Sequence, residues 1–437
     1  MIEAAQNALR LPDLRRKILF TIFILIIYQF VSHVSVPGVD RELIRDLFEN
    51  DEGGLLSVLN LLSGGAVRNF SVIANGVYPY ITASIILQLL IPIIPRLEAI
   101  AREPGGQDKI NQYTYYLAIP MAMLQAFGQI NLFQSQIQGG DLIPGFGDDF
   151  LVTASVVLTM TAGTMFAIWL GELITEQGIG NGISIIIFAG IVARAPSSLA
   201  SLLETRFVFN LVSFVALTLI TVLVIVYINE GVRRIPVQYG KRVRGRRVYG
   251  GQSTHIPLRV NQAGMIPLIF AQSIITFPGI IAQFLPDGSV TNWIIDNLSS
   301  PNGFWYWTIY FFMVVGFTYF YTDVMMQNQN LAENLQKNGG FIPGIRPGRR
   351  TQDYIQLIVR RITLVGALFL GFVAILPGLM QIIISIVYGS AAATNFSANP
   401  ANVIGPSGLI IVVGVVIDTM RQLEAQLMMR NYGSFLR

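Results

Sequence analysis

Between Leu61 and Pro95 the chain reads LLSGGAVRNFSVIANGVYPYITASIILQLLIPIIP, and no other stretch narrows the fold as much. It opens short, glycine-bearing and half polar, around Arg68. It then becomes an apolar run, Val77 to Ile94, with Pro79 and Pro92 inside it and Pro95 just beyond. A broken segment feeding directly into a membrane-length run has few solutions. Lipid offers no partner to a free N–H or C=O, so irregular backbone at membrane depth survives only inside protein or against a water-filled cavity. The stretch predicts a membrane protein with a polar cavity and a segment folded into it.

The rest of the chain agrees. Only 12% of its 437 residues are charged, against about 25% in a typical soluble domain. Runs of about 20 apolar residues, the length a hydrocarbon core of about 30 Å demands, recur along it. Their predicted limits are Ile18–Val36, Val77–Ile94, Thr114–Phe133, Leu151–Ile174, a fifth from Gly182, Phe209–Ile228, Gly264–Leu285, Phe304–Tyr321, Ile362–Ile386 and Val403–Met420. The first follows the basic cluster Arg10, Arg15, Arg16 and Lys17. No small-residue cleavage site follows it, so it reads as a span and not as a signal peptide.

The fifth run is the weakest, because Ile183–Ala193 gives way to Arg194 and the mild APSSLASLL. Charge decides for it. With ten spans and the N-terminus inside, the inner segments hold 24 of the 29 Lys and Arg, as the positive-inside rule requires. Removing the fifth span would flip the second half and put its most basic loop outside. Five spans per half means that the halves enter the membrane from opposite sides, an inverted pair with room for a path between them.

Two predicted inner loops stand out, at 231–260 and 327–361. Gly231–Val260 carries eight basic residues and no acidic one, and VQYGKRVRGRRVY alternates as a hairpin does. The second holds GGFIPGIRPGRR, a glycine- and proline-rich turn tipped with Arg346, Arg349 and Arg350. Such loops suit phosphate backbones, acidic protein patches or anionic lipid.

The chemistry that is missing is equally informative. There is no G-x-x-x-x-G-K-[ST] and no H-E-x-x-H. With no cysteine and with His33 and His255 far apart, a zinc site or a histidine-based triad has no basis. Gly178–Gly182 (GIGNG) lies between two spans and not after a strand, so it predicts a tight turn and a helix N-terminus, not a nucleotide site. An intramembrane enzyme lacks a nucleophile and base. A small-solute carrier with inverted repeats would normally carry a coupling charge inside a span. Here Glu172, Glu176, Asp323 and Asp418 fall only near inner ends, and the polar groups at depth are uncharged: Thr82, Ser84, Gln88, Gln125, Gln272 and Ser273. That pattern favours a passive, gated path, with no cofactor.

Five long segments carry a family resemblance: FSVIANGVYPYITASIILQLL at 70–90, GTMFAIWLGELITEQGIGNGISIIIFAGIVA at 163–193, GRRVYGGQSTHIPLRVNQAGMIPLIFA at 245–271, FIPGIRPG at 341–348 and IVVGVVIDTMRQLEAQLMMRNY at 411–432. On these the chain resembles the SecY family of bacterial protein-translocation channels, nearly end to end. The resemblance implies an all-α membrane fold of ten helices in two inverted five-helix halves around an hourglass pore. It implies an N-terminal segment 1–17, a first half 18–200 with a plug at about 60–74, a second half 201–425 and a tail 426–437.

By the same resemblance, the constriction is an aliphatic ring of Val77, Ile81, Ile183, Ile187, Ile269 and Ile411. Position 77 often carries isoleucine in the family, so valine widens the ring slightly. A lateral gate would lie between spans 2 and 3 and spans 7 and 8, with Thr82, Gln125 and Asn261 at its polar positions. Arg246, Arg247 and Arg346 would dock cytosolic partners, the SecA motor ATPase or the ribosome. SecE- and SecG-like small subunits, an unfolded preprotein with its signal sequence and membrane lipid complete the expected partners. The expected place is the inner membrane, with both termini cytoplasmic.

Overall fold

The computed structural model describes residues 11–44, 66–103, 105–137, 141–204, 208–239, 242–244, 247–249, 253–282, 288–294, 297–298, 304–329, 331–388 and 406–434. A helix stands at each of the ten predicted spans: Pro12–Val31, Tyr78–Leu90, Gly106–Gln136, Phe150–Gln177, Gly182–Glu204, Val208–Asn229, Ile266–Ala282, Phe304–Gln329, Arg349–Tyr388 and Pro406–Ser434. These are spans 1 to 10 below. Spans 4, 8 and 9 each have the length and apolarity of a membrane crossing on their own, and span 2 has them jointly with the helix beginning at Pro95, across a bend of 106°. Span 2 therefore ends at Leu90, four residues short of its predicted limit. Pro92 and Pro95 explain this: neither can donate to a helix, and Ile94, preceding a proline, is extended at φ −100°, ψ 108°.

The helices are apolar on both sides. Leu19, Phe23, Ile26 and Phe30 of span 1, Phe312 of span 8 and Phe372 of span 9 are all exposed. Apolar surface around the whole circumference is the mark of a helix meant for lipid. Several buried hydroxyls inside the bundle are satisfied locally: Thr114, Thr161, Thr164, Thr318 and Ser273 each donate to the carbonyl one turn back.

Spans 1 to 5 pack among themselves, with span 4 central, and so do spans 6 to 10. The halves meet along two seams: spans 2 and 3 against span 7, and span 5 against spans 6 and 10. Within the first half, spans 4 and 5 approach backbone to backbone, since a Cβ on Gly182 would sit 1.8 Å from the Gly171 carbonyl oxygen. The predicted turn before span 5 is present. Gly180 takes φ +81°, and the Asn181 side chain accepts the Ser184 N–H at 3.1 Å, capping the new helix.

The stretch leading into span 2 is irregular over its described residues, as the broken segment predicted. Residues 60–65 of the expected plug lie outside the described residues; from Ala66 to Val77 the backbone runs as turns, interrupted by an antiparallel bridge from Ser71 to Ser35. Phe70 adopts φ 41°, a left-handed conformation that ends any helix there. The strand-like residues after span 1 take over its hydrogen bonds: Val36 N–H donates to the Phe70 carbonyl at 3.0 Å, and Val72 N–H to Val34 at 2.9 Å. Asn75 Nδ2 donates to the Ala122 carbonyl of span 3 at 3.2 Å. Span 4 passes so close that a Cβ on Gly163 would lie 2.0 Å from the Val72 carbonyl oxygen. The irregular backbone is thus held inside protein, as its depth demands.

The first basic loop forms the predicted hairpin. Strand β1 (Val232–Tyr239) pairs antiparallel with β4 (Ser253–Arg259), from Val232↔Arg259 to Gln238↔Ser253. Between them β2 (Arg242–Arg244) pairs with β3 (Arg247–Tyr249). Strand β5 (Gly340–Phe341), from the second basic loop, joins the other edge of β1. Ile235, Val237, Leu258, Leu335, Ile342, Ile355 and Val359 form the core beneath this sheet. Ile355 and Val359 belong to span 9, whose 40 residues make about 60 Å of helix, twice the hydrocarbon thickness, so the sheet rests on its inner extension.

Candidate functional site

Six side chains expected at a constriction come from four helices: Val77 at the start of span 2 and Ile81 within it, Ile183 and Ile187 from span 5, Ile269 from span 7 and Ile411 from span 10. These four helices are among those that form the seams between the halves. The structure brings all six together. Val77, Ile81, Ile187, Ile269 and Ile411 are 1–7% exposed and share one apolar cluster, with Ile183 packed against it. Ala66 and Ile73 of the broken segment belong to the same cluster. The i, i+4 pairs at 77/81 and 183/187 put each pair on one helix face.

A cavity of about 410 Å³ opens on the side of this cluster that faces the basic loops. Met265 and Val415 line it and also belong to the cluster, so its floor is apolar. Its walls carry Asn181, Asn229, Asn261, Arg259, Asp418 and Arg421. Arg421 donates to Glu230 Oε1 at 2.9 Å and to the Asn229 carbonyl at 3.2 Å, fastening span 10 to the end of span 6. Desolvation at this mouth, and the neighbouring Arg421 after it, push the Arg259 guanidinium pKa below its ordinary value, while Asp418 and Glu230 oppose the shift. The arrangement is a cavity with polar groups in its walls above an apolar neck.

The three polar residues expected at a gate are buried, and the hydrogen bonds that Thr82 and Asn261 make stay within their own halves. Thr82 Oγ1 donates to the Tyr78 carbonyl at 3.1 Å. Asn261 Nδ2 donates to Asn229 Oδ1 at 2.8 Å and to the Gly264 carbonyl at 3.1 Å. Gln125 Nε2 has no acceptor among the described residues. A hydrogen bond that does cross the seam was not anticipated: the Tyr78 hydroxyl donates to the Ser273 carbonyl of span 7. A buried tyrosine hydroxyl needs a partner, which was the available signal, but a backbone acceptor leaves no trace in sequence. A second unanticipated contact lies within the first half, where the Tyr115 hydroxyl of span 3 donates to the Glu172 carboxylate of span 4.

Of the three expected docking arginines, Arg346 is exposed on the turn after β5, Arg247 opens β3 opposite Arg244, and Arg246 lies outside the described residues. Arg234 stands on the exposed face of β1, while Ile235 and Val237 are buried.

The family model for SecY matches residues 71–420. Over the full length of both chains, the sequence is 42% identical to the protein translocase subunit SecY of Streptomyces scabiei and 44% identical to that of Mycobacterium bovis. Among solved structures, the fold is similar to a SecY channel described for a plug domain that stabilises its closed state, at TM-score 0.61 and 18% identity, covering 94% of this chain and 92% of that one. It is similar to the canine Sec61 channel in its ribosome complex at TM-score 0.60, with the same identity and coverage.

Proposed function

The chain belongs to the SecY family, and from that premise we propose that it is a passive, gated protein-conducting channel. In this reading it passes unfolded secretory chains across the inner membrane and releases apolar segments sideways into lipid. One observation carries the reading: six aliphatic side chains from both halves converge with the broken segment in one cluster, beneath a cavity with polar groups in its walls. A substrate of arbitrary sequence offers no fixed hydrogen-bonding pattern, so its collar must be non-directional. Aliphatic side chains deform around whatever passes, and a narrow apolar neck dewets and holds back ions.

The segment at about 60–74 serves as the plug, with Ala66 and Ile73 seated on the ring. The gate opens between spans 2 and 3 and spans 7 and 8. No step of bond chemistry belongs to the chain, so SecA or an elongating ribosome supplies the work. Arg246, Arg247 and Arg346 dock these partners; β5 ties the turn that carries Arg346 to β1 of the first basic loop. SecE- and SecG-like subunits sit against the exposed helix faces, and both termini lie in the cytoplasm.

The test is photocrosslinking to a stalled secretory chain from a reactive residue at Ile187, with the exposed Phe312 as control. Capture at 187 alone, lost when the signal sequence is made hydrophilic, is the expected result. Absence of capture at 187 in export-competent membranes overturns the ring.

A further inference from the structure

We propose that Tyr78 is a specificity-determining residue of the gate, its hydroxyl bond to the Ser273 carbonyl setting how apolar a signal helix must be to part spans 2 and 7. The proposal rests on the channel reading above. Tyr78 opens span 2 directly after Val77, and Ser273 lies one turn beyond Ile269 on span 7, so the bond crosses the seam at the level of the ring. Both residues are buried, at 5% and 1% exposure. The Ser273 hydroxyl is already committed to the Ile269 carbonyl at 2.8 Å; the group that Tyr78 reaches is backbone. Thr82 holds the other end of Tyr78 by donating to its carbonyl, which makes Thr82 a positioning residue.

The two sides of span 2 are tied differently, and the difference fixes where it yields. Towards its own half, the Tyr80 ring packs on Tyr115 at 5.4 Å between centroids, and Tyr115 donates to the ionisable Glu172. That carboxylate bond, roughly twice as strong as a neutral one, joins span 3 to span 4, and span 2 packs far more extensively on span 3 than on span 7. Towards span 7 the bond at Tyr78 is neutral and reaches a carbonyl. An intercalating helix therefore separates span 2 from span 7 and leaves it with spans 3 and 4. Parting breaks this bond across the seam before the incoming chain or water can replace it. That cost is borne equally for every signal, so it excludes those whose apolar core is only marginal.

The experiment measures export of two reporters by the assembled translocase in membranes, one with a strong signal sequence and one with a shortened apolar core. The readout is the weak-to-strong ratio. Tyr78→Phe keeps the ring and removes the donor; the ratio is expected to rise about threefold, the factor equivalent to about 0.6 kcal/mol for a hydrogen bond between membrane helices. Thr82→Val is expected to raise it less. An unchanged or lowered ratio, including a parallel loss of both reporters, overturns the proposal. Where the Phe variant accumulates poorly, Tyr78→Met removes the same donor and gives the same ratio. Strong-signal export that persists when the chain is depleted overturns the channel reading itself; chain-dependent export with an unmoved ratio overturns Tyr78 alone.

Discussion

The neck and the inner sheet are built on opposite principles. At the neck, helices from two halves meet through aliphatic contacts with few polar ties across the seam. At the sheet, β1 is paired along both edges and sits over its own core. Dispersion contacts are weak and without direction, so the neck can open and reclose around unlike side chains. A backbone ladder fixes register, so the sheet can present Arg234 and the turn at Arg346 in a set relation. A surface that must recognise is rigid, and a surface that must accept anything is greasy. If this contrast is right, damage to one region leaves the other intact.

The largest effect is expected from Val237→Asp. Val237 is fully buried under the sheet, and an unpaired carboxylate there costs about 3–5 kcal/mol. Limited proteolysis of the inner loops should accelerate by a hundredfold or more on this order, and partner binding should fall, while resting ion conductance stays low. A rise in conductance would show that sheet and neck are mechanically one.

Ile187→Lys tests the converse. A lysine at the centre of a span costs roughly 3 kcal/mol, or about a hundredfold, and the seal is weakened as it draws water into the neck. Single-channel recording should show leak in the resting state, with partner binding unaltered. A tight resting channel would mean that the broken segment, not the aliphatic cluster, makes the seal.

Much of this was legible in sequence, and what was hidden has physical reasons. Span positions were readable because lipid imposes a length and a composition, and the parity of basic loops recovered span 5 where hydropathy was weak. The hairpin at β1–β4 announced itself by alternation. Strand β5 did not, since two residues carry no period. How the broken segment at 66–77 is held was hidden, because two of its hydrogen bonds tie it to Val34 and Val36, some 35 residues away, and local propensity knows nothing of such partners. The six aliphatic positions looked individually like any buried or lipid-facing residue; only the family motifs singled them out, and only the fold showed that they meet. Tyr78 was invisible because its acceptor is backbone.

Arg346→Glu should act more gently. Exposed charges contribute about 0.2–1 kcal/mol each, chiefly to the rate of encounter. Binding of SecA or ribosomes to vesicles containing the channel should weaken by roughly tenfold or less at low salt, and the difference from the unaltered channel should shrink as salt rises. A loss that salt does not touch would place Arg346 inside a desolvated contact instead of on an electrostatic rim.

The smallest effect is expected where the sequence pointed most plainly. Gln125 is a buried amide near the seam, and its Nε2 has no acceptor among the described residues. Replacing an unsatisfied polar group by an apolar one of similar size removes a burden and costs little. Gln125→Leu should therefore leave channel abundance unchanged and shift the weak-to-strong export ratio less than Tyr78→Phe does. Asn261→Leu forfeits two donated hydrogen bonds inside the second half, about 1–2 kcal/mol together, and should lower abundance before it alters the ratio. The ordering is the informative part. If Gln125→Leu moved the ratio as far as Tyr78→Phe, its amide would have to find a partner across the seam during opening. The neck would then owe its selectivity to a polar network and not to one tyrosine in an aliphatic collar.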